Sequence, residues 1–171
     1  MLKIQGKEIK NVADRKVSIV RTYKGDIKRT SSGKVTGYPL SFLTVGISLV
    51  ITDTKAEIRV IQQLLLSADK ISIQCDHNGV DFLGDFSVTS QDVDELRDKT
   101  ESKSTIHIEL VSHGTPIKKP DGTYFKVNYA STSISASFAE IVTVPAGYNL
   151  AGASLPNNKL LVLGDVTLTA N

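Results

Sequence analysis

The chain has 171 residues, of which 40% are hydrophobic, and a net charge of +2. This length suffices for one domain with a real core, or for one domain with a small appendage. A single cysteine, Cys75, excludes an internal disulfide and a cysteine-clustered zinc site. No window approaches the roughly eighteen apolar residues of a membrane span, and the first residues lack the apolar run of a signal peptide. We therefore expect a globular protein made in the cytoplasm, without membrane insertion.

The charges are distributed unevenly along the chain. Residues 1–40 contain ten bases and three acids, a balance of +7. Residues 69–101 contain nine acids and three bases, a balance of −6. Two interpretations are open: the two regions neutralise each other within one molecule, or they meet between copies that are arranged head to tail.

The chain opens with short strands around Gln5 and Gly6, and a second strand follows around Val17. Residues 23–38 then hold only two aliphatic side chains, which is too few to pack a core. Their polar character and the tip formed by Ser31, Ser32 and Gly33 predict a long hairpin arm. Such an arm is either a flexible loop or a device that becomes ordered against another subunit.

The most regular strand of the sequence follows the arm. Aliphatic residues take every odd position over residues 43–51, and small or polar residues take nearly every even one. One face of this strand is therefore predicted to lie in the core. The strand leads through Asp53 directly into a helix.

That helix, predicted over residues 54–69, is the only convincing one in the chain. Thr54 and Glu57 have the spacing of a capping box. In a capping box the hydroxyl accepts from an early backbone N–H, and the carboxylate reaches back to the cap residue. Apolar residues then recur at helical spacing. The residues expected to pack on the preceding strand are Ile58, Ile61 and Leu65.

Alternating residues after the helix predict a β-hairpin, with Asn78 and Gly79 as its type I′ turn. The polar residues 91–104 are interpreted as an exposed loop or a strained helical turn, and a closing strand follows around Ile108. The interval 115–122, rich in Gly and Pro, is predicted to be a linker.

These elements predict a mainly β protein. Residues 1–114 are expected to form a β-sandwich or barrel that carries the one α-helix. Residues 123–171 are expected to form a small β domain or extension. At roughly fifty residues this part is near the lower limit for independent folding, so it should pack on the first domain or on another copy.

No motif in the sequence names a reaction. Gly33 and Lys34 lack the earlier glycine and the following Ser or Thr of a phosphate-binding loop. The aspartates of residues 92–98 lack the glycine and the final acid of a calcium loop. Specific nucleic-acid recognition is not expected, because the N-terminal tyrosines are not interleaved with the bases and the helix is not basic.

The histidines and the cysteine are interpreted as structural or surface residues. His77, His107 and His113 have no fixed spacing to acids or to Cys75. Cys75 shares the parity of apolar neighbours, which favours a buried thiol over a nucleophile. We therefore predict no catalytic, cofactor-binding or metal-binding residue, and no enzyme.

The order of elements resembles the tail-tube fold of tailed bacteriophages, which tube proteins share with distal-tail and baseplate ring proteins. Residues 21–34 read Arg-Thr-Tyr-Lys-Gly-Asp-Ile-Lys-Arg-Thr-Ser-Ser-Gly-Lys. This stretch is similar to segments of distal-tail-like proteins from phages that infect Gram-positive bacteria. The resemblance covers about residues 1–114. The chain after Pro116 lies outside it, although family members often append a small β-domain there.

The resemblance implies a structural virion protein located in the phage tail. It would form a homohexameric ring around the DNA channel, either in the tail tube or as a distal-tail or baseplate ring. Its partners would be further copies of itself and other tail proteins, with DNA only in transit and no cofactor. The residues predicted at the interface between subunits are Lys24, Lys28, Arg29, Lys34, Asp92, Asp94 and Glu95.

A function of another class is also compatible with the sequence, namely a monomeric β-sandwich module that binds a surface carbohydrate. Sugar sites are usually built on exposed aromatic platforms. The chain has no Trp, and the aromatic residues of its C-terminal part are Tyr124, Phe125, Tyr129, Phe138 and Tyr148. This composition weakens the alternative, and an enzyme ranks third because no catalytic constellation is visible.

Overall fold

A computed structural model describes residues 1–24, 28–37, 40–94 and 102–171. It confirms the predicted class, a mainly β protein with one α-helix in the described part. The elements of the first part are β1 (Lys3–Ile4), β2 (Lys7–Glu8), β3 (Val12–Lys24), β4 (Lys28–Arg29), β5 (Val35–Gly37), β6 (Leu40–Thr54), α1 (Lys55–Leu66), β7 (Ile71–His77), β8 (Val80–Asp94) and β9 (Lys103–Ser112). Those of the C-terminal part are β10 (Phe125–Tyr129), β11 (Thr132–Ala136), β12 (Ile141–Thr143), β13 (Tyr148–Leu150), β14 (Ala153–Ser154), a 3₁₀ turn (Pro156–Asn158), β15 (Lys159–Leu161), β16 (Val166–Thr167) and β17 (Thr169–Ala170).

The first part is built on one antiparallel sheet with the strand order β2-β1-β7-β8-β9-β6-β3. Its edge strands, β2 and β3, do not pair with each other among the described residues, so the barrel allowed for by the sequence is not closed. The sheet is nevertheless strongly curved. Arg15 on β3 forms a 2.8 Å ion pair with Asp76 on β7, although three strands lie between them in the sheet. In a flat sheet those strands would be roughly 19 Å apart.

The helix begins where the sequence predicts, but only half of the capping box forms. Thr54 Oγ1 accepts from the Glu57 backbone N–H at 3.2 Å. The backbone N–H of Thr54 donates to Asp53 at 2.7 Å, and Glu57 pairs instead with Lys7. The second half of the predicted box is therefore wrong, because a nearer carboxylate takes the cap N–H.

The helix ends at Leu66, three residues before the predicted end. The Ser67 hydroxyl donates to the Leu64 carbonyl at 2.7 Å and satisfies one of the terminal carbonyls. Asp53, at the other end, accepts from the Asn11 side chain and from the Thr54 N–H, in that order of effect, and both bonds lower the pKa of its carboxyl.

The predicted core face is confirmed. Val45, Ile47, Leu49 and Ile51 on β6 are buried, as are the three helix residues Ile58, Ile61 and Leu65. The helix covers more than the expected strand, because it lies across β6, β9 and β1. No helix in the described residues is long and apolar enough to cross a membrane.

The hairpin that follows the helix turns at Asn78 and Gly79, with φ values of 49° and 81°, as the type I′ prediction requires. Strand β8 runs on to Asp94 and pairs with β9, so the expectation of a loop from residue 91 is wrong for residues 91–94. The register shifts between Val88 and Ser90. Because of this bulge, the inward-facing positions change from even to odd residues. The regular alternation is interrupted, and the polar residues that follow resemble a loop in the sequence. Residues 95–101 lie outside the described part.

The C-terminal part packs on the main sheet, one of the two arrangements expected for it. Leu83 and Lys118 exchange two backbone hydrogen bonds of 2.8 and 2.9 Å, and Ile117 is buried. The rings of Phe82 and Phe138 stack with centroids 4.8 Å apart. The predicted linker is thus tied to β8, and one hydrophobic core spans both parts. The division into two domains stays a prediction.

Candidate subunit interface

A two-stranded ribbon projects from the main sheet toward the predicted arm. Strand β6 pairs with β9 only as far as Gly46 opposite Val111, whereas its pairing with β3 continues to Lys24 opposite Leu40. The ribbon leads into the small hairpin β4–β5. Residues 25–27 and 38–39, which join the two, lie outside the described part.

The tip of the hairpin is organised around Thr30. Its backbone N–H donates to the Lys34 carbonyl at 2.8 Å, and its carbonyl accepts from the Gly33 N–H at 2.9 Å. Its hydroxyl contacts the Ser32 hydroxyl at 2.8 Å. Gly33 has φ +81°, a conformation that favours glycine. These local bonds shape the tip without any apolar core.

The predicted basic residues are distributed along this projection. Lys28, Arg29 and Lys34 are exposed. Arg29 donates to the Gly33 carbonyl at 3.3 Å, a bond within the tip. Lys24 pairs through its backbone with Leu40, and its side chain is outside the described part.

The predicted acidic residues lie on the solvent face of β8. Asp92 and Asp94 are exposed, and Glu95 is outside the described residues. Asp94 accepts from His107 at 3.0 Å, with the two side chains 62% and 48% exposed. Glu109, further along β9, accepts from Ser48 at 2.6 Å. The sequence missed the His107–Asp94 pair because it arises from strand register, through the alignment of Asp94 with Thr105.

The two charged sets stand at opposite ends of β6. Leu40 lies beside Lys24, and Thr52 lies level with Thr105 and Asp94. These twelve residues of strand span roughly 40 Å. The described part of the arm and the exposed acids are therefore far apart along the strand.

Other bases of the N-terminal region do find acids in the same molecule. Lys7 pairs with Glu57, and Arg15 pairs with Asp76. Burial raises the pKa of the Asp76 carboxyl, but hydrogen bonds from the N-terminal amine and the charge of Arg15 outweigh it and leave the pKa lowered. The intramolecular interpretation of the charge split thus holds for these two pairs.

The remaining reactive side chains in the described part are a serine–histidine contact and a buried cysteine. Ser87 Oγ contacts His113 Nδ1 and also donates to the Asp69 carbonyl at 3.2 Å. A hydroxyl has one proton, so if it donates to the carbonyl it must accept from the ring. Cys75 is fully buried, and burial raises the pKa of its thiol. Among the described residues no group of three His, Cys, Asp or Glu side chains is placed to hold a metal ion.

Comparisons with known proteins give two structural likenesses. The chain is similar to a component of the virion of a native gene transfer agent particle, with 15% identity and a TM-score of 0.46, covering 68% of this chain and 93% of that one. It is also similar to a component of the tail of an empty gene transfer agent particle with C6 symmetry, with 13% identity and a TM-score of 0.46, covering 66% and 84%. At this TM-score the likeness assigns neither fold nor function. No family model and no curated protein matches the chain.

Proposed function

We propose that the protein is a structural subunit of a phage-type tail, which assembles head to tail into a ring of the tail tube or of its distal end or baseplate. The observation that carries the proposal is the separation of charge along the molecule. A coreless arm with Lys28, Arg29 and Lys34 projects from one end, and Asp92 and Asp94 lie exposed at the other. The resemblance of residues 21–34 to distal-tail-like proteins falls on that same arm.

Opposite charges on opposite ends favour a heterologous contact, in which one end of a copy meets the other end of the next. Such contacts close into rings when the rotation between copies permits it. We infer a hexamer from the tail-tube resemblance, with other tail proteins above and below it. Carboxylates on the wall of a channel would keep DNA in transit from binding, because phosphate repels carboxylate.

The proposal is tested by following association in solution at two ionic strengths. Exposed ion pairs contribute individually only ~0–1 kcal/mol, but together they steer encounter and register. Salt at ~1 M shortens the screening length to about 3 Å. We therefore expect association to slow markedly at high salt, and the double variant Lys28→Glu with Arg29→Glu to slow it at low salt.

A second reversal, Asp92→Lys with Asp94→Lys in the same chain, should restore the rate if the two sets meet. The matched control is Lys55→Glu with Arg59→Glu, which removes the same charge from the exposed face of α1. An association rate indifferent to salt and to the first reversal would contradict the charge-driven contact. A strict monomer at high concentration would contradict the ring and favour the alternative, a monomeric module that binds a surface carbohydrate.

A further inference from the structure

The turn of the β7–β8 hairpin holds the only Asn-Gly pair in the sequence. Asn78 and Gly79 are both exposed. A Cβ placed on Gly79 would meet no atom within 4 Å, so the backbone at this point is open on its outer side. The backbone N–H of Gly79 donates to no other group among the described residues. The Gly79 nitrogen is therefore accessible and free of a hydrogen bond that would have to break before it reacts.

An asparagine followed by glycine is prone to one particular reaction. The backbone nitrogen of the following residue attacks the side-chain amide carbon, and the two atoms close a cyclic imide. A side chain on the following residue hinders this approach, and glycine has none. The reaction releases the side-chain nitrogen as ammonia. Its rate depends on whether that nitrogen can be protonated as it leaves.

An imidazole lies beside the nitrogen that would leave. Asn78 Nδ2 donates to His77 Nε2 at 3.4 Å. The His77 ring also stands edge-on to the ring of Phe138, with centroids 5.9 Å apart and an angle of 76° between the planes. Because this contact with the C-terminal part orients the imidazole, Nε2 is held toward the amide.

The imidazole can supply the proton that the reaction needs. Once the Gly79 nitrogen has bonded to Asn78 Cγ, the former amide nitrogen is a basic amine. A protonated His77 gives it the Nε2 proton as the Cγ–Nδ2 bond breaks, and ammonia leaves. The proton lost from the Gly79 nitrogen passes to water. Water then opens the imide at either carbonyl, which leaves aspartate or isoaspartate at position 78 without any change of oxidation state.

A second exposed turn shows what the hairpin tip has in addition. Asp121 precedes Gly122, which has φ +84° and the same open surroundings as Gly79. Asp121 Oδ1 accepts from the Thr123 hydroxyl at 2.6 Å and from the Thr123 N–H at 2.8 Å. These two bonds lower the pKa of the Asp121 carboxyl. An ionised carboxylate is a poor electrophile, so the same ring closure is not expected at Asp121.

We propose that Asn78 is a site of self-modification, at which the Gly79 nitrogen displaces the side-chain amide and His77 donates the proton to the departing ammonia. Ring closure rotates Asn78 out of the type I′ conformation, so it takes place when the exposed tip opens. The proposal concerns a single chain and does not depend on the proposed ring.

The isoaspartate product alters the place where the C-terminal part rests on the hairpin. Its backbone runs through the former side-chain carbon, which adds one atom to a turn that fits two ordinary residues. The residues on either side of the turn carry the contacts: His77 lies against Phe138, and a Cβ on Gly164 would approach Val80 to 3.2 Å. We therefore expect the isoaspartate form to melt at a lower temperature than the unmodified chain.

Peptide mapping by mass spectrometry tests the site. The purified chain is incubated at neutral pH for days, and the tryptic peptide of residues 71–97 is compared with the peptides that contain other asparagines. Asn78 should convert faster than Asn128 and Asn149, and it should give separate aspartate and isoaspartate peptides. Asp121 should remain as it is. An unchanged Asn78, or conversion no faster than at Asn128 and Asn149, overturns the proposal.

The variant His77→Gln tests the proton donor. It keeps a polar side chain and removes the group that titrates, so conversion should slow roughly tenfold, less than the ~10²–10⁴ of a general acid in a closed active site. A weaker contact with Phe138 would let the tip open more often and speed the reaction, so loosening cannot explain a slower rate. His113→Gln is the matched control, since His113 contacts Ser87 and lies outside the turn.

The pH profile separates proton donation from a merely structural role of His77. In the unmodified chain the conversion rate should show an inflection between about pH 5 and 8, where an imidazole loses its proton. His77→Gln should lack this inflection, and His113→Gln should keep it. A His77→Gln rate that equals or exceeds that of the unmodified chain, or an inflection that persists in that variant, overturns the assignment of His77.

Discussion

The two halves of strand β6 differ in what surrounds them. Over Gly46 to Thr54 the strand has β3 on one side, β9 on the other and α1 across its face, and Ile47, Leu49 and Ile51 are at most 1% exposed. Over residues 40–44 it has only β3 among the described strands, and Phe42 is 45% exposed. One continuous strand thus passes from a buried part of the molecule to a partly exposed one. The first half stabilises the fold, and the second half borders the arm.

The largest effect on stability is expected where α1 covers the first half of β6. Leu65 of α1 is 1% exposed there. Leu65→Ala should lower the free energy of unfolding by about 2–5 kcal/mol, because the lost transfer energy adds to the cost of the cavity. Urea denaturation measures this, with Leu66→Ala as control, since Leu66 is 66% exposed on the same helix. A loss below about 0.5 kcal/mol at Leu65 would mean that the helix packs by another face.

The next effect tests whether the C-terminal part stabilises the sheet on which it lies. A Cβ on Gly84 would approach Ile117 Cγ1 to 2.8 Å and Phe86 to 3.3 Å. Gly84→Ala should cost about 1–3 kcal/mol through overpacking. Gly46→Ala is the control, because its Cβ meets Ser18 Oγ at 2.8 Å and that hydroxyl can rotate away. Equal melting temperatures for both variants would show that Ile117 is loosely held.

A smaller effect is expected where β6 ends and α1 begins. Thr54→Ala removes the hydroxyl that accepts from the Glu57 N–H, and should cost about 1 kcal/mol of unfolding free energy. Thr54→Ser keeps the acceptor and should remain near the unmodified value. Because the carboxylate of Glu57 binds Lys7 and not the cap, Glu57→Gln should not reproduce the loss. A full loss in that variant would reinstate the complete capping box.

The covered half could be predicted from the sequence because its determinants are local. The alternation through Ile47 and Leu49 and the helical spacing of Ile58 and Ile61 are both properties of single segments. The end of β8 could not, because the bulge between Val88 and Ser90 reverses the parity of a polar strand. The point at which β6 loses its second partner could not be predicted either. It depends on where the neighbouring strand β9 ends, which the sequence of β6 does not contain.

For the candidate interface, the sequence predicted which segments are basic or acidic, but not which of them meet. Counting charges locates bases near Lys28 and acids near Asp94, but it cannot tell neutralisation within a copy from contact between copies. That distinction depends on the roughly 40 Å of strand between them. The pair of Arg15 and Asp76 could not be predicted by counting charges either, since the two residues are close only because the sheet curves.

The smallest effect on stability, with the largest effect on assembly, is expected from deleting residues 26–35. The described residues of that segment are exposed apart from the half-buried Val35, and the hydrogen bonds of Thr30 at its tip are to Ser32, Gly33 and Lys34 within the segment. Removing them should leave the unfolding free energy within about 0.5 kcal/mol, the range of surface changes. Self-association, measured by native mass spectrometry, should be lost with the arm. Lys28→Gln with Arg29→Gln is the matched control: it keeps the hairpin and removes two charges, so it should slow association without abolishing it. If the deletion unfolds the protein, the arm belongs to the core; if the shortened chain assembles normally, the arm is not part of the contact between subunits.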